Sequence, residues 1–68
     1  MNEECKEKMM QAFREFQEIC TNLEQISDLI KSSNEISATS KSQVIPFLEG
    51  YSNGLKAVIE WLDIILEE

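Results

Sequence analysis

Apolar residues recur through the first half of the chain at the spacing of one α-helical face. Met9, Phe16, Leu23 and Ile30 form a row of every seventh residue, and Cys5, Ala12, Ile19 and Ile26 form a second row beside it. Phe13 and Cys20 widen the stripe on one side, while the remaining positions hold mostly Gln, Glu, Arg, Lys, Thr and Asp, with Met10 as the exception. This pattern predicts an amphipathic helix over about 2–33. Glu3, Glu4 and Glu7 near its start and Lys31 near its end complement the helix dipole. Glu4 and Lys8 have the favourable order for an ion pair one turn apart.

Residues 32–41 (Ser-Ser-Asn-Glu-Ile-Ser-Ala-Thr-Ser-Lys) break the pattern with side chains that compete for backbone hydrogen bonds. They predict a loop short enough to return the chain antiparallel. Two starts for the second helix are open. Ser40 with Gln43 forms a capping-box pair, and a start at Ser42 places Pro46 in the first turn, where its missing N–H costs least. The expected helix covers about 42–67. Leu48, Leu55 and Leu62 form one of its rows, and Val44, Tyr51, Val58 and Ile65 form the other. Ile45, Ile59 and Leu66 extend the apolar arc on one side, and Phe47 and Trp61 extend it on the other, with Ile64 further round. Gly50, Asn53 and Gly54 are poor helix formers, and a break at 53–54 would give three helices. The apolar phase runs from Tyr51 through Leu55 to Val58 without a register jump, which favours one continuous helix.

The expected fold is therefore all-α, an antiparallel two-helix hairpin in a single domain over 1–68. Its expected core is Met9, Phe16, Ile19, Leu23, Ile26 and Ile30 against Leu48, Tyr51, Leu55, Val58, Leu62 and Ile65. The second helix is apolar over more of its circumference than one neighbour covers. A hairpin of this kind leaves apolar surface wet unless a partner or a second copy completes a helical bundle. The expected partner-binding residues are Phe47, Gly50, Gly54, Ala57, Trp61 and Ile64. Gly50, Gly54 and Ala57 line one edge at i, i+4 and i+7, with Phe47 and Trp61 as bulky neighbours. Two readings of this groove are open: Phe13 or Phe16 of the first helix fills it, or a partner does. Trp61, on the flank, has the size and amphipathic character favoured in interface anchors.

Composition narrows the chemistry. The 68 residues contain 13 acidic and 6 basic side chains, for a net charge of −7, with an isoelectric point near 4.4. Such a charge repels nucleic acid and anionic membranes, so neither is an expected partner. Simple solubility explains the acidity, and an acidic docking face is the alternative. Cys5 and Cys20 fall in one helix, where they would lie roughly 22 Å apart, too far to bridge. With no His and two distant thiols, neither a metal site nor a Cys–base pair is expected, and no cofactor. Both thiols occupy stripe positions, where Cys acts as a small hydrophobe. No glycine-rich phosphate loop or calcium loop occurs, and the expectation is a protein without enzymatic activity. No apolar run approaches the ~18 residues of a membrane span. That, an acidic start unlike a signal peptide, and free thiols make the cytoplasm the expected compartment.

Residues Ser52-Asn53-Gly54-Leu55-Lys56-Ala57-Val58-Ile59-Glu60-Trp61-Leu62-Asp63-Ile64-Ile65 resemble the second helix of small two-helix co-chaperones of type III secretion needle subunits, the YscE, PscE and SsaE group. The resemblance covers about a fifth of the chain. It rests on Ser, a small residue, Leu and another small residue before an Ile-rich helical end. Pro46 and the Gly50/Gly54 pair depart from it. It implies a cytoplasmic adaptor that pairs with a tetratricopeptide-type co-chaperone and helps hold the needle subunit, a secretion substrate, unpolymerised. Two other expectations rest on the residues alone: a homodimeric four-helix-bundle regulator, or a small acidic inhibitor of a basic protein.

Overall fold

A computed structural model describes all 68 residues. The chain forms two α-helices, α1 (Glu3–Ser32) and α2 (Ala38–Glu67), packed against each other as an antiparallel hairpin without strands. Each helix has 30 residues. The result is a rod of 50 × 14 × 12 Å. Its radius of gyration is 15.7 Å, against roughly 11 Å for a globule of this length.

Local chemistry sets the ends of both helices. Asn2 caps α1, its side-chain oxygen accepting the Cys5 amide at 2.8 Å. At the other end the Ser33 amide donates to the Ile30 carbonyl at 3.3 Å, and Lys41 Nζ donates to the Lys31 carbonyl at 2.9 Å. Two of the carbonyls that a helix leaves unpaired are thereby satisfied. The connection is only Ser33–Ser37. The Glu35 amide is held by Ser33 Oγ at 3.2 Å.

The expected start of the second helix at 40 or 42 is corrected to Ala38. Ser37 is the cap: its Oγ accepts the Ser40 amide at 3.1 Å and lies 3.0 Å from Ser40 Oγ. The Ser40–Gln43 capping box is not formed, because Ser40 already lies in the first turn. This shift places Pro46 inside α2 rather than in its first turn. Position 46 offers no amide to the Ser42 carbonyl, but both residues are exposed and water can take that acceptor. The helix continues unbroken through Pro46, Gly50, Asn53 and Gly54, so the third-helix alternative does not arise.

The seam between the helices uses two rows from each. On α1 these are Met9, Phe16, Leu23 and Ile30 together with Phe13, Cys20 and Ser27. On α2 they are Leu48, Leu55 and Leu62 together with Ile45, Ser52, Ile59 and Leu66. All are buried or half-buried. The expected core positions Ile19, Ile26, Tyr51 and Val58 are corrected: they are exposed at 39%, 45%, 58% and 44%. Ile65, expected in the same row as Tyr51, is half-buried.

Both helices have thus turned about their axes by one row from the most apolar choice. The physical reason lies in the middle of the seam. Only Cys20, Ser27 and Ser52 are buried, and all three are small. Cys20 Sγ lies 3.5 Å from Ser52 Oγ and 3.9 Å from the Ser52 carbonyl. Small side chains there allow the helix backbones to approach, whereas Tyr51 or Ile19 at the same place would hold them apart. The same rotation carries Glu24 and Lys31 of α1 alongside Lys56 and Glu49 of α2.

Candidate functional site

In an antiparallel pair each flank of the seam is lined by one row from each helix, and here the two flanks differ in chemistry. On the first, Lys31 Nζ meets Glu49 Oε1 and Lys56 Nζ meets Glu24 Oε1, both at 2.7 Å. Each pair raises the pKa of its lysine above the usual value. The hydrogen bond to the carboxylate is the largest cause, followed by its charge, with desolvation opposing. Between the two pairs lies a polar notch of about 290 Å³ that includes Leu23, Ser27, Leu48 and Ser52. Ser27 Oγ is buried there without a hydrogen-bond partner. The side chains of both pairs are about half exposed, so screening leaves them modest in strength. Their value is in register: they fit only one alignment of the helices.

The second flank is apolar throughout. Ala12, Ile19 and Ile26 of α1 run beside Val44, Tyr51, Val58 and Ile65 of α2. The register set by Cys20 against Ser52 brings Ile26 near the level of Val44 and Ile19 near that of Tyr51. Beyond this junction α2 carries a further apolar row in which Phe47 is 80% exposed and Trp61 65% exposed. Ile64 lies past them, half exposed. The apolar surface therefore spans both helices and runs from Val44 to Ile65.

Gly50, Gly54 and Ala57 lie on this surface and are exposed. A methyl group built at either glycine would meet nothing within 4 Å. The reading in which Phe13 or Phe16 fills the groove is thereby excluded within the hairpin, since both phenylalanines are half-buried in the seam instead. The six positions singled out on α2, Phe47, Gly50, Gly54, Ala57, Trp61 and Ile64, all sit on the outer part of the face. Sequence reasoning missed the inner part, Ile19, Ile26, Tyr51 and Val58, by assigning it to the core. The complementary order of Glu24 and Lys31 against Glu49 and Lys56 was the signal that could have found it. Charges that pair across an antiparallel seam mark one flank and so identify the other.

The accessible surface of the chain is 5255 Å². A globular monomer of this mass is expected to expose roughly 4,400 Å². The excess follows from the elongated shape of the hairpin, 50 × 14 × 12 Å.

Cys5 is exposed and Cys20 buried, and both are free. No three His, Cys, Asp or Glu side chains converge as a metal site would require. No helix is long and apolar enough to cross a membrane. The fold and face together define an all-α hairpin with one unpartnered apolar flank. Comparison of the chain with protein-family models, curated proteins and solved structures finds no match.

Proposed function

We propose that this protein is a non-enzymatic binding module that docks another protein on the apolar flank shared by α1 and α2. The observation that carries the proposal is the exposure of Ile19, Ile26, Tyr51, Val58, Phe47 and Trp61 on one side of a hairpin whose other side is ion-paired. Contiguous apolar surface on this scale marks interaction sites, and large aromatics such as Trp61 and Tyr51 supply most of the binding energy at such sites. The sharpest form of the proposal follows the resemblance of residues 52–65. In it the chain is a cytoplasmic adaptor that, with a tetratricopeptide-type partner, masks a needle subunit of type III secretion. Two free thiols too far apart to pair suit a reducing compartment.

A second reading is a homodimeric four-helix bundle. It is favoured by the length of the face, which runs along most of both helices as an isologous interface would.

The test compares the chain with a Phe47→Ala/Trp61→Ala variant as baits in the source cell, with quantitative mass spectrometry of what each captures. Proteins captured by the chain and lost from a variant of unchanged helicity are the expected result. Identical capture profiles would sink the proposal.

A further inference from the structure

We infer that a second copy of the chain covers the outer part of the apolar face, pairing α2 with α2 antiparallel about Gly54. This rests on the docking reading above and names the occupant of that outer part. The inner part, with Ile19 and Ile26, stays open to another protein. Three observations lead to it.

The first is the register of α2. Gly54 stands midway between Phe47 and Trp61 on one row, seven residues from each. An antiparallel two-fold partner centred on Gly54 presents the same row in reverse order. Phe47 of each copy then meets Trp61 of the other, about 10.5 Å to either side of the crossing. The neighbouring rows match as well. Tyr51 falls beside Val58 of the second copy, and Gly50 falls beside its Ala57. At the centre glycine faces glycine. A methyl group built at Gly54 would meet nothing within 4 Å, so the hairpin leaves that space open to another backbone.

The second is charge. The three rows of α2 centred on Phe47, Gly54 and Trp61 carry no charged residue from Gln43 to Ile65, although the chain has a net charge of −7. Glu49 and Lys56 lie on the ion-paired flank. Glu60 and Glu67 lie between that flank and Ile64. Two copies that meet on this strip bring no like charges into contact.

The third is area. Phe47, Tyr51 and Trp61 are 80%, 58% and 65% exposed. Together these three rings leave about 400 Å² in water. That is about half of the ~800 Å² that each partner brings to an interface of standard size. A contact of this extent holds a dimer that comes apart on dilution.

The experiment measures the mass of the full chain by sedimentation equilibrium from about 1 μM to about 1 mM, with Trp61 emission recorded on the same samples. Mass is expected to rise from one chain to two and no further. Trp61, the only tryptophan, should shift to the blue in step. Raising salt from roughly 0.1 M to roughly 1 M should strengthen the association, because it screens the repulsion between two acidic chains. Gly54→Leu should weaken it at least about tenfold by holding the backbones apart. Leucine is the better helix former, so circular dichroism should show this variant at least as helical as the parent.

A chain that stays single to the highest concentration would overturn the inference, while proteins captured in the source cell would still support the docking reading. A dimer that Gly54→Leu leaves unchanged, or one that weakens with salt, would place the contact elsewhere and overturn it too. A dimer that behaves as expected but captures no other protein would sustain the inference and defeat the docking of another protein.

Discussion

The two flanks of the hairpin are made by the same pair of helices yet have opposite chemistry. One carries Glu24–Lys56 and Lys31–Glu49, crossing from helix to helix at 2.7 Å. The other carries Ile19 and Ile26 beside Tyr51 and Val58, with Phe47 and Trp61 beyond them and nothing against them. The charged flank pairs Glu24 with Lys56 and Lys31 with Glu49 within the hairpin. The apolar flank is only partly covered by the hairpin, from Val44 at 37% exposed to Phe47 at 80%. One element therefore carries ion pairs across the seam on one side and exposed apolar side chains on the other. Small residues in the seam make this arrangement possible.

The contrast can be broken most severely at the seam. Leu55→Ala removes a half-buried seam side chain and should cost about 2 kcal/mol. A scaffold this small has little reserve, so a large loss of helicity on warming is expected. Tyr51→Ala, one turn earlier but on the apolar flank, should change stability by less than about 1 kcal/mol. Thermal melts followed by circular dichroism compare the two, and equal effects would mean that Tyr51 belongs to the core after all.

Smaller effects sharpen the comparison from the two sides. Gly54→Ala should raise stability by about 1 kcal/mol, because alanine favours the helix and the added methyl meets empty space. The same substitution should weaken docking of any partner whose backbone approaches there. A loss of stability would show that something already occupies the groove. On the other flank, Ser27→Ala removes a buried hydroxyl with no partner and should stabilise by up to about 1 kcal/mol. A lower melting temperature for this variant would show that the hydroxyl is bonded in solution.

The ion pairs give the smallest effect, with a defined sign. Lys31 and Lys56 have pKa values raised above 10.5 in the folded chain, first by hydrogen bonds to Glu49 and Glu24. A raised folded-state pKa favours the folded state wherever the lysine is charged. The contribution is complete below pH 10.5 and is lost as pH climbs through the raised value. A Lys31→Gln/Lys56→Gln variant should lose less stability than the parent over that alkaline range. Parallel alkaline profiles would show that the pairs add nothing.

Much of the fold could be read before any coordinates, and the failures share a cause. The seven-residue rows of Met9 and Leu48 were enough for two helices and their antiparallel return. The end of the loop was misplaced because Ser37, Ser40 and Ser42 are all competent caps. Nothing in their identity ranks them, whereas the first permits the shortest connection. The seam was misread by one row because hydropathy favours Ile19, Ile26, Tyr51 and Val58 over Cys20, Ser27 and Ser52. Packing reversed that order, since close backbones need small residues and the ion pairs need their rows beside the seam. The outer half of the face, from Phe47 to Ile64, was visible as an apolar arc too wide for one neighbour. Its inner half was hidden by being too apolar to look like surface.

The most direct test is the environment of Trp61 in the free chain, read from its emission maximum and its quenching by acrylamide over a dilution series. Water-exposed emission, readily quenched at the dilute end of the series, is the expected result for a face that waits for a partner. Blue-shifted emission protected from quencher at every dilution would mean that the face is already covered, and would contradict the account.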